Sequence, residues 1–164
     1  MTAAGIPGCC CCRGSSSTTR TWPDLRRSRE CCWRETMAAS LRINHLSIMV
    51  RDLTRSADFY HRVLRLPEIE CKARKPNIRW FGIGDGHSIH LIEGDFGDTY
   101  VTMSTHLCIA VTDLDATVAH IAATGTKYGD LARNEGRIYT RADGVRSIYL
   151  QDPDGYWLEI SDDY

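Results

Sequence analysis

The strongest constraint on this chain is that it carries the same short stretch twice. Asn44-His45-Leu46-Ser47-Ile48-Met49-Val50-Arg51-Asp52-Leu53 aligns with Thr105-His106-Leu107-Cys108-Ile109-Ala110-Val111-Thr112-Asp113-Leu114 at an offset of 61, with six of ten positions identical. Each copy is a short apolar run, read as a buried strand, followed by an aspartate placed to cap a helix. In the first expected helix Ala57, Tyr60, Val63 and Leu64 share a face. In the second Ala116, Ala119 and Ala123 do, with Gly125 as terminator.

Both halves also close alike. Asp85-Gly86 and Asp154-Gly155 are hairpin-turn signals, and His90 and Glu159 each lie four residues past the glycine. Strands are expected before these turns at Ile78–Ile83 and Arg146–Gln151, with a further one near Leu66–Ala73 and a weakly marked counterpart between Lys127 and Thr140. Each half is then strand–helix–three strands, of roughly 60 residues, too small to bury a core alone. The expectation is an α+β fold of two paired βαβββ modules, residues 41–101 and 102–164, forming an open, barrel-like mixed sheet around a central cavity.

Residues 1–36 differ in kind. They hold six of the eight cysteines, a Ser/Thr run, and six arginines against three acids, with no apolar periodicity. They read as a disordered or non-native extension, with Met37 as an alternative start. Cys71 and Cys108, the two cysteines beyond it, read as small buried residues in a reduced, cytoplasmic protein. The chain's net charge of −1 gives no basic surface for nucleic acid. No run approaches the roughly 18 apolar residues of a membrane span.

The repeat places its polar residues in matching positions. His45 and His106 sit on the opening strands, His90 and Glu159 on the closing ones. Side chains alternate along a strand, so equal placement implies equal direction. Four such groups buried together need compensation, and imidazoles with a carboxylate suit a first-row divalent ion: Ni, Zn, Co, Fe or Mn. In a regular strand Glu93 points away from His90. His61, His87 and His120 read as surface residues. Gly82-Ile83-Gly84-Asp85-Gly86 is followed by no helix and so is no dinucleotide loop.

The paired modules, with His45, His90, His106, Glu159 and the Asp152-Pro153-Asp154-Gly155-Tyr156 turn, resemble the vicinal oxygen chelate superfamily over about residues 41–163. That superfamily includes glyoxalase I, extradiol dioxygenases and resistance proteins. The resemblance implies one divalent metal ion on His45, His90, His106 and Glu159, with Glu159 and His90 as catalytic residues. It also implies a homodimer acting on a small molecule. The general look is to bacterial glyoxalase I, a lyase that isomerises a carbonyl–thiol adduct through an enediolate. That pattern has arginine where this chain has Met49 and asparagine where it has Gly94. The two differences imply a thiol adduct other than that of glutathione. Met49, Arg79, Tyr149 and Arg141 are the candidate substrate contacts. The extradiol dioxygenase and non-catalytic binder readings stand as alternatives. The dioxygenase pattern wants a histidine about seven residues before Tyr149, where Thr140, Arg141 and Ala142 stand.

Overall fold

The structure is a computed structural model that describes residues 42–98 and 100–164. The extension expected over residues 1–36 lies outside the described residues. Its first half runs β1 (His45–Val50), α1 (Leu53–Arg62), β2 (Glu68–Ile69), β3 (Ile78–Gly82) and β4 (Ser88–Glu93). The second half repeats this with β5 (His106–Ala110), α2 (Leu114–Ala123), β6 (Tyr139–Thr140), β7 (Arg146–Gln151) and β8 (Trp157–Ser161). Each half makes its own four-stranded mixed sheet, in the orders β1-β4-β3-β2 and β5-β8-β7-β6, and neither sheet closes on itself. The opening strand of each lies parallel to the closing strand and forms one edge.

The two aspartates of the repeat cap the helices. Asp52 accepts the Arg55 amide and Asp113 the Ala116 amide, each at 2.9 Å, satisfying a donor that the helix leaves open, worth about 1 kcal/mol each. Alternation is clear in β4, whereas β7 is buried on both faces from Ser147 to Leu150. Ile48, Val50, Ile89 and Leu91 go to the core with Phe81, Ile148, Leu150, Leu158 and Ile160. His45, Ser47 and Met49 face outward.

Helix α1 buries the expected face: Ala57, Tyr60 and Val63 are at or below 1% exposure. Helix α2 does not. Ala116, Ala119 and Ala123 face solvent, while Leu114 and Ile121, seven residues apart, are buried. Burying two large aliphatic side chains removes far more apolar area from water than burying three alanines, and this decides the rotation of the helix. Beyond Glu68–Ile69 the expected early strand gives way to a turn in which the Arg74 amide bonds the Cys71 carbonyl.

The halves are joined by the Asp152–Tyr156 turn. Asp152 Oδ1 accepts the amides of Asp154 and Tyr156, both at 2.9 Å. From α1, the Tyr60 hydroxyl donates to Asp152 Oδ2 (3.1 Å) and the Ser56 hydroxyl to Asp154 Oδ2 (2.8 Å). Burial drives the Asp152 carboxyl up to about 6, against these hydrogen bonds, which favour its charged form. His120 is not a free surface residue: its Nδ1 accepts from Arg65 and its Nε2–H donates to the Arg62 carbonyl, each at 2.9 Å, tying α2 to the end of α1. Among the described residues no helix is long and apolar enough to cross a membrane.

Candidate metal centre

The four repeat-related residues come together as two pairs, one on the outward face of each sheet. On the first sheet the rings of His45 and His90 stack with centroids 4.3 Å apart and planes 11° from parallel. On the second, His106 Nε2 lies 2.9 Å from Glu159 Oε2. Among the described residues no group of three or more His, Cys, Asp or Glu side chains is placed to hold one ion. Within the chain the four donors therefore stand as two separate pairs. β1 pairs with β4 and β5 with β8, but the two sheets remain separate ladders, so each gathers only its own two donors.

The hydrogen bonds of the opening-strand histidines set their tautomers. His106 Nδ1 lies 2.7 Å from the Met103 carbonyl, and His45 Nδ1 lies 2.9 Å from Asn44 Oδ1. Both oxygens can only accept, so both Nδ1 atoms carry the proton and both neutral rings present an Nε2 lone pair. This is the arrangement of metal-ligating imidazoles, whose second nitrogen donates to a carbonyl or carboxylate. At His106 the lone pair meets a carboxylate oxygen, and two acceptors at 2.9 Å repel unless a positive charge, proton or cation, sits at the contact. A proton there makes an ion pair, and imidazole nitrogens with a carboxylate are also donors of the types that a first-row divalent ion takes. His90 is held below the usual histidine range by burial and then by His45, which favours the neutral ring that ligation needs. The Ser88 hydroxyl meets His90 Nε2 at 2.9 Å.

The neighbours of Glu159 are polar. Cys108 on β5 and Tyr149 on β7 lie in register with it, so the three form a row across the sheet. Burial and the Glu159 carboxylate push the Tyr149 hydroxyl up to about 12 and the Cys108 thiol up to about 11. Both stay protonated donors beside the carboxylate. Tyr149 also sets its ring edge-on to His106, 5.6 Å between centroids. Cys108 is exposed as a residue, with its thiol partly desolvated against the sheet, and Cys71 is half-exposed, so neither is the buried residue expected. For Cys108 the reason is its two-residue spacing from His106, which puts it on the same outward face.

The remaining candidates divide. Arg79 bonds Glu68, with Nε–Oε1 at 2.8 Å, and Arg141 bonds both Asp143 and Asp163. Each thus has a carboxylate partner of its own. Met49 is 41% exposed, on the face that carries His45. A Cβ at Gly94 would lie 3.2 Å from the Met49 sulfur. Glu93 turns to α1 and accepts the Leu53 amide, on the side opposite His90. Sequence reasoning missed Asn44, Cys108 and Trp80. The first adjoins His45 in the chain, the second lies two residues from His106 on the same strand face, and the third could have been placed only from strand register.

Residues 42–160 match the family model of the Glyoxalase/Bleomycin resistance protein/Dioxygenase superfamily. The chain is 31% identical over 127 residues to the protein YwbC of Bacillus subtilis (strain 168), covering 73% of this chain and 95% of that one. It is 30% identical over 128 residues to a lactoylglutathione lyase of Haemophilus influenzae, covering 73% and 91%. Among solved structures, the oxidase ChaP-H2 superposes with a TM-score of 0.62 at 26% identity, covering 75% of this chain and 94% of that one. A model match over most of the chain, on the same duplicated sheet–helix frame, leaves one conclusion: this chain belongs to the Glyoxalase/Bleomycin resistance protein/Dioxygenase superfamily.

Proposed function

We propose that the chain is a metal-dependent lyase or isomerase of the glyoxalase I type, acting on a small carbonyl–thiol adduct. In this reading it works as a homodimer. His45 and His90 of one copy and His106 and Glu159 of the other hold one divalent ion. The observation that carries the reading is the His106–Glu159 contact, where an imidazole whose Nδ1 proton is committed to the Met103 carbonyl faces a carboxylate at 2.9 Å. The stacked His45–His90 pair supplies the complementary half.

When bound, the ion would supply Lewis-acid polarisation of a substrate carbonyl. The chain's own residues do the rest. The Glu159 carboxylate removes the proton from the carbon bearing sulfur and hydroxyl in the adduct, leaving an enediolate. It returns that proton to the adjacent carbon while the hydroxyl proton passes to the neighbouring oxygen, so a hemithioacetal becomes a 2-hydroxy thioester with no net change in atoms. Its 16% exposure keeps competing water few, and the Tyr149 and Cys108 donors orient it. At Met49 and Gly94 a thioether fills the space beside the backbone, and no guanidinium stands there to clamp a carboxylate. That favours a thiol other than glutathione.

The test is turnover of methylglyoxal premixed with several thiols, using protein loaded separately with Ni(II), Zn(II), Co(II), Fe(II) or Mn(II). Thioester formation with at least one thiol is expected. No turnover with any metal would contradict the enzyme reading in favour of a binder. Since a similar fold belongs to a protein named an oxidase, catechol with Fe(II) is assayed beside it, and ring cleavage would select the dioxygenase.

A further inference from the structure

We propose that Trp80 is the positioning residue that fixes His90 for cation binding, and that its indole reports whether the site is filled. The proposal rests on the reading of His90 as a donor. Ser47, His90 and Trp80 lie in register across β1, β4 and β3, in one row on the outward face. The indole lies flat on His90, with centroids 3.9 Å apart and planes 3° from parallel, and His45 covers the opposite face of the same ring. Trp80, His90 and His45 thus form a three-layer stack.

The stack is not symmetric. His90 is sandwiched, whereas His45 is the exposed outer layer, touched on one face. Two parallel imidazoles at this spacing send their in-plane lone pairs along parallel lines, so one ring must turn before both can serve one ion. Turning His90 would strip it from two stacked rings and from the Ser88 hydroxyl; turning His45 breaks one ring contact and its bond to Asn44. Trp80 therefore decides which histidine stays put. Its Nε1 is buried without a hydrogen-bond partner among the described residues, so packing and ring contact hold the indole there, not a polar anchor.

The second sheet carries a matching device of different chemistry. At the position in register with Glu159 stands Tyr149, whose hydroxyl serves the carboxylate. A flat indole partners the imidazole donor, and a hydroxyl partners the carboxylate donor. In each half the aromatic one strand further in matches the group it steadies.

The experiment uses the full chain and Co(II) as probe, read by cobalt absorbance and by tryptophan emission. In the wild type, emission is expected to fall with the same midpoint as the absorbance rises. Trp80→Phe keeps a flat ring and should bind Co(II) within about threefold of wild type, while losing at least half of the quenching. Trp80→Val, a strand former without a ring, should weaken Co(II) binding by about 10–100-fold, the usual effect of removing a group that orients a ligand. Wild-type affinity in a folded Trp80→Val protein would overturn the proposal while leaving the donor reading intact. If Trp80→Val does not fold, Trp80→Phe decides: undiminished quenching would overturn it. Failure of the wild type to bind Co(II) would remove the donor reading and this proposal with it.

Discussion

Replacing Tyr60 with Phe deletes one hydroxyl from the joint between the two halves, and its effect should depend on pH. Tyr60 is fully buried and Asp152 is 5% exposed. Asp152 Oδ1 is served by two amides, while among the described residues Oδ2 receives only the Tyr60 hydroxyl. Burial raises the Asp152 carboxyl to about 6 in the folded protein, against about 3.9 in an unfolded chain. The native state therefore holds the proton more tightly, and stability from this group falls as pH rises from about 4 through about 6. Above that window the carboxylate is charged, and removing its donor should destabilise by about 2 kcal/mol, the range of a hydrogen bond to a charged group. Near pH 4 the carboxyl is neutral and the same deletion should lose about 1 kcal/mol or less. Urea unfolding followed by far-UV circular dichroism, at about pH 4 and pH 8, measures both. Asp152→Asn completes the cycle, and in that background the Tyr60→Phe penalty should be small and flat with pH. An equal penalty at both pH values, or one below about 0.5 kcal/mol at pH 8, would refute the reasoning.

Two further predictions concern the second sheet. Glu159→Gln should lower kcat per bound metal by about 100-fold or more with little change in KM; unchanged turnover would remove Glu159 as the proton carrier. Gly129→Ala should destabilise by about 1–3 kcal/mol in thermal unfolding, because its Cβ would sit 2.7 Å from the Asn134 carbonyl oxygen. Gly129 exchanges both backbone hydrogen bonds with Tyr149, so the shift should also reach the Glu159 row; a neutral effect would mean the 126–135 loop gives way freely.

Much of the frame was legible before any coordinates. The repeat located both opening strands and both capping aspartates. The Gly-to-donor spacing put His90 and Glu159 at matching places on the closing strands, because alternation of side chains along a strand is a local rule; which opening-strand histidine each meets came from strand pairing. What was not legible depends on choices between distant surfaces. The inward face of α2 is set by Leu114 and Ile121 competing with the alanines for the core. The Tyr60–Asp152 contact joins residues 92 apart, and nothing local to either announces the other. Trp80 reaches His90 only through strand register. Whether the two donor pairs meet within a chain also lay beyond spacing, since spacing fixes direction on each sheet but not how one sheet stands to the other.

The central claim is that the two donor pairs complete each other across two copies. Prepare one variant with His45→Ala and His90→Ala, another with His106→Ala and Glu159→Ala, and mix them under conditions that exchange subunits. Each variant alone should bind no Co(II) at the site. The mixed dimer should recover one intact site, seen as one cobalt ion per pair of chains and as restored absorbance. If mixing restores nothing although the mixed dimer forms, the pairs do not share an ion between copies and the account fails.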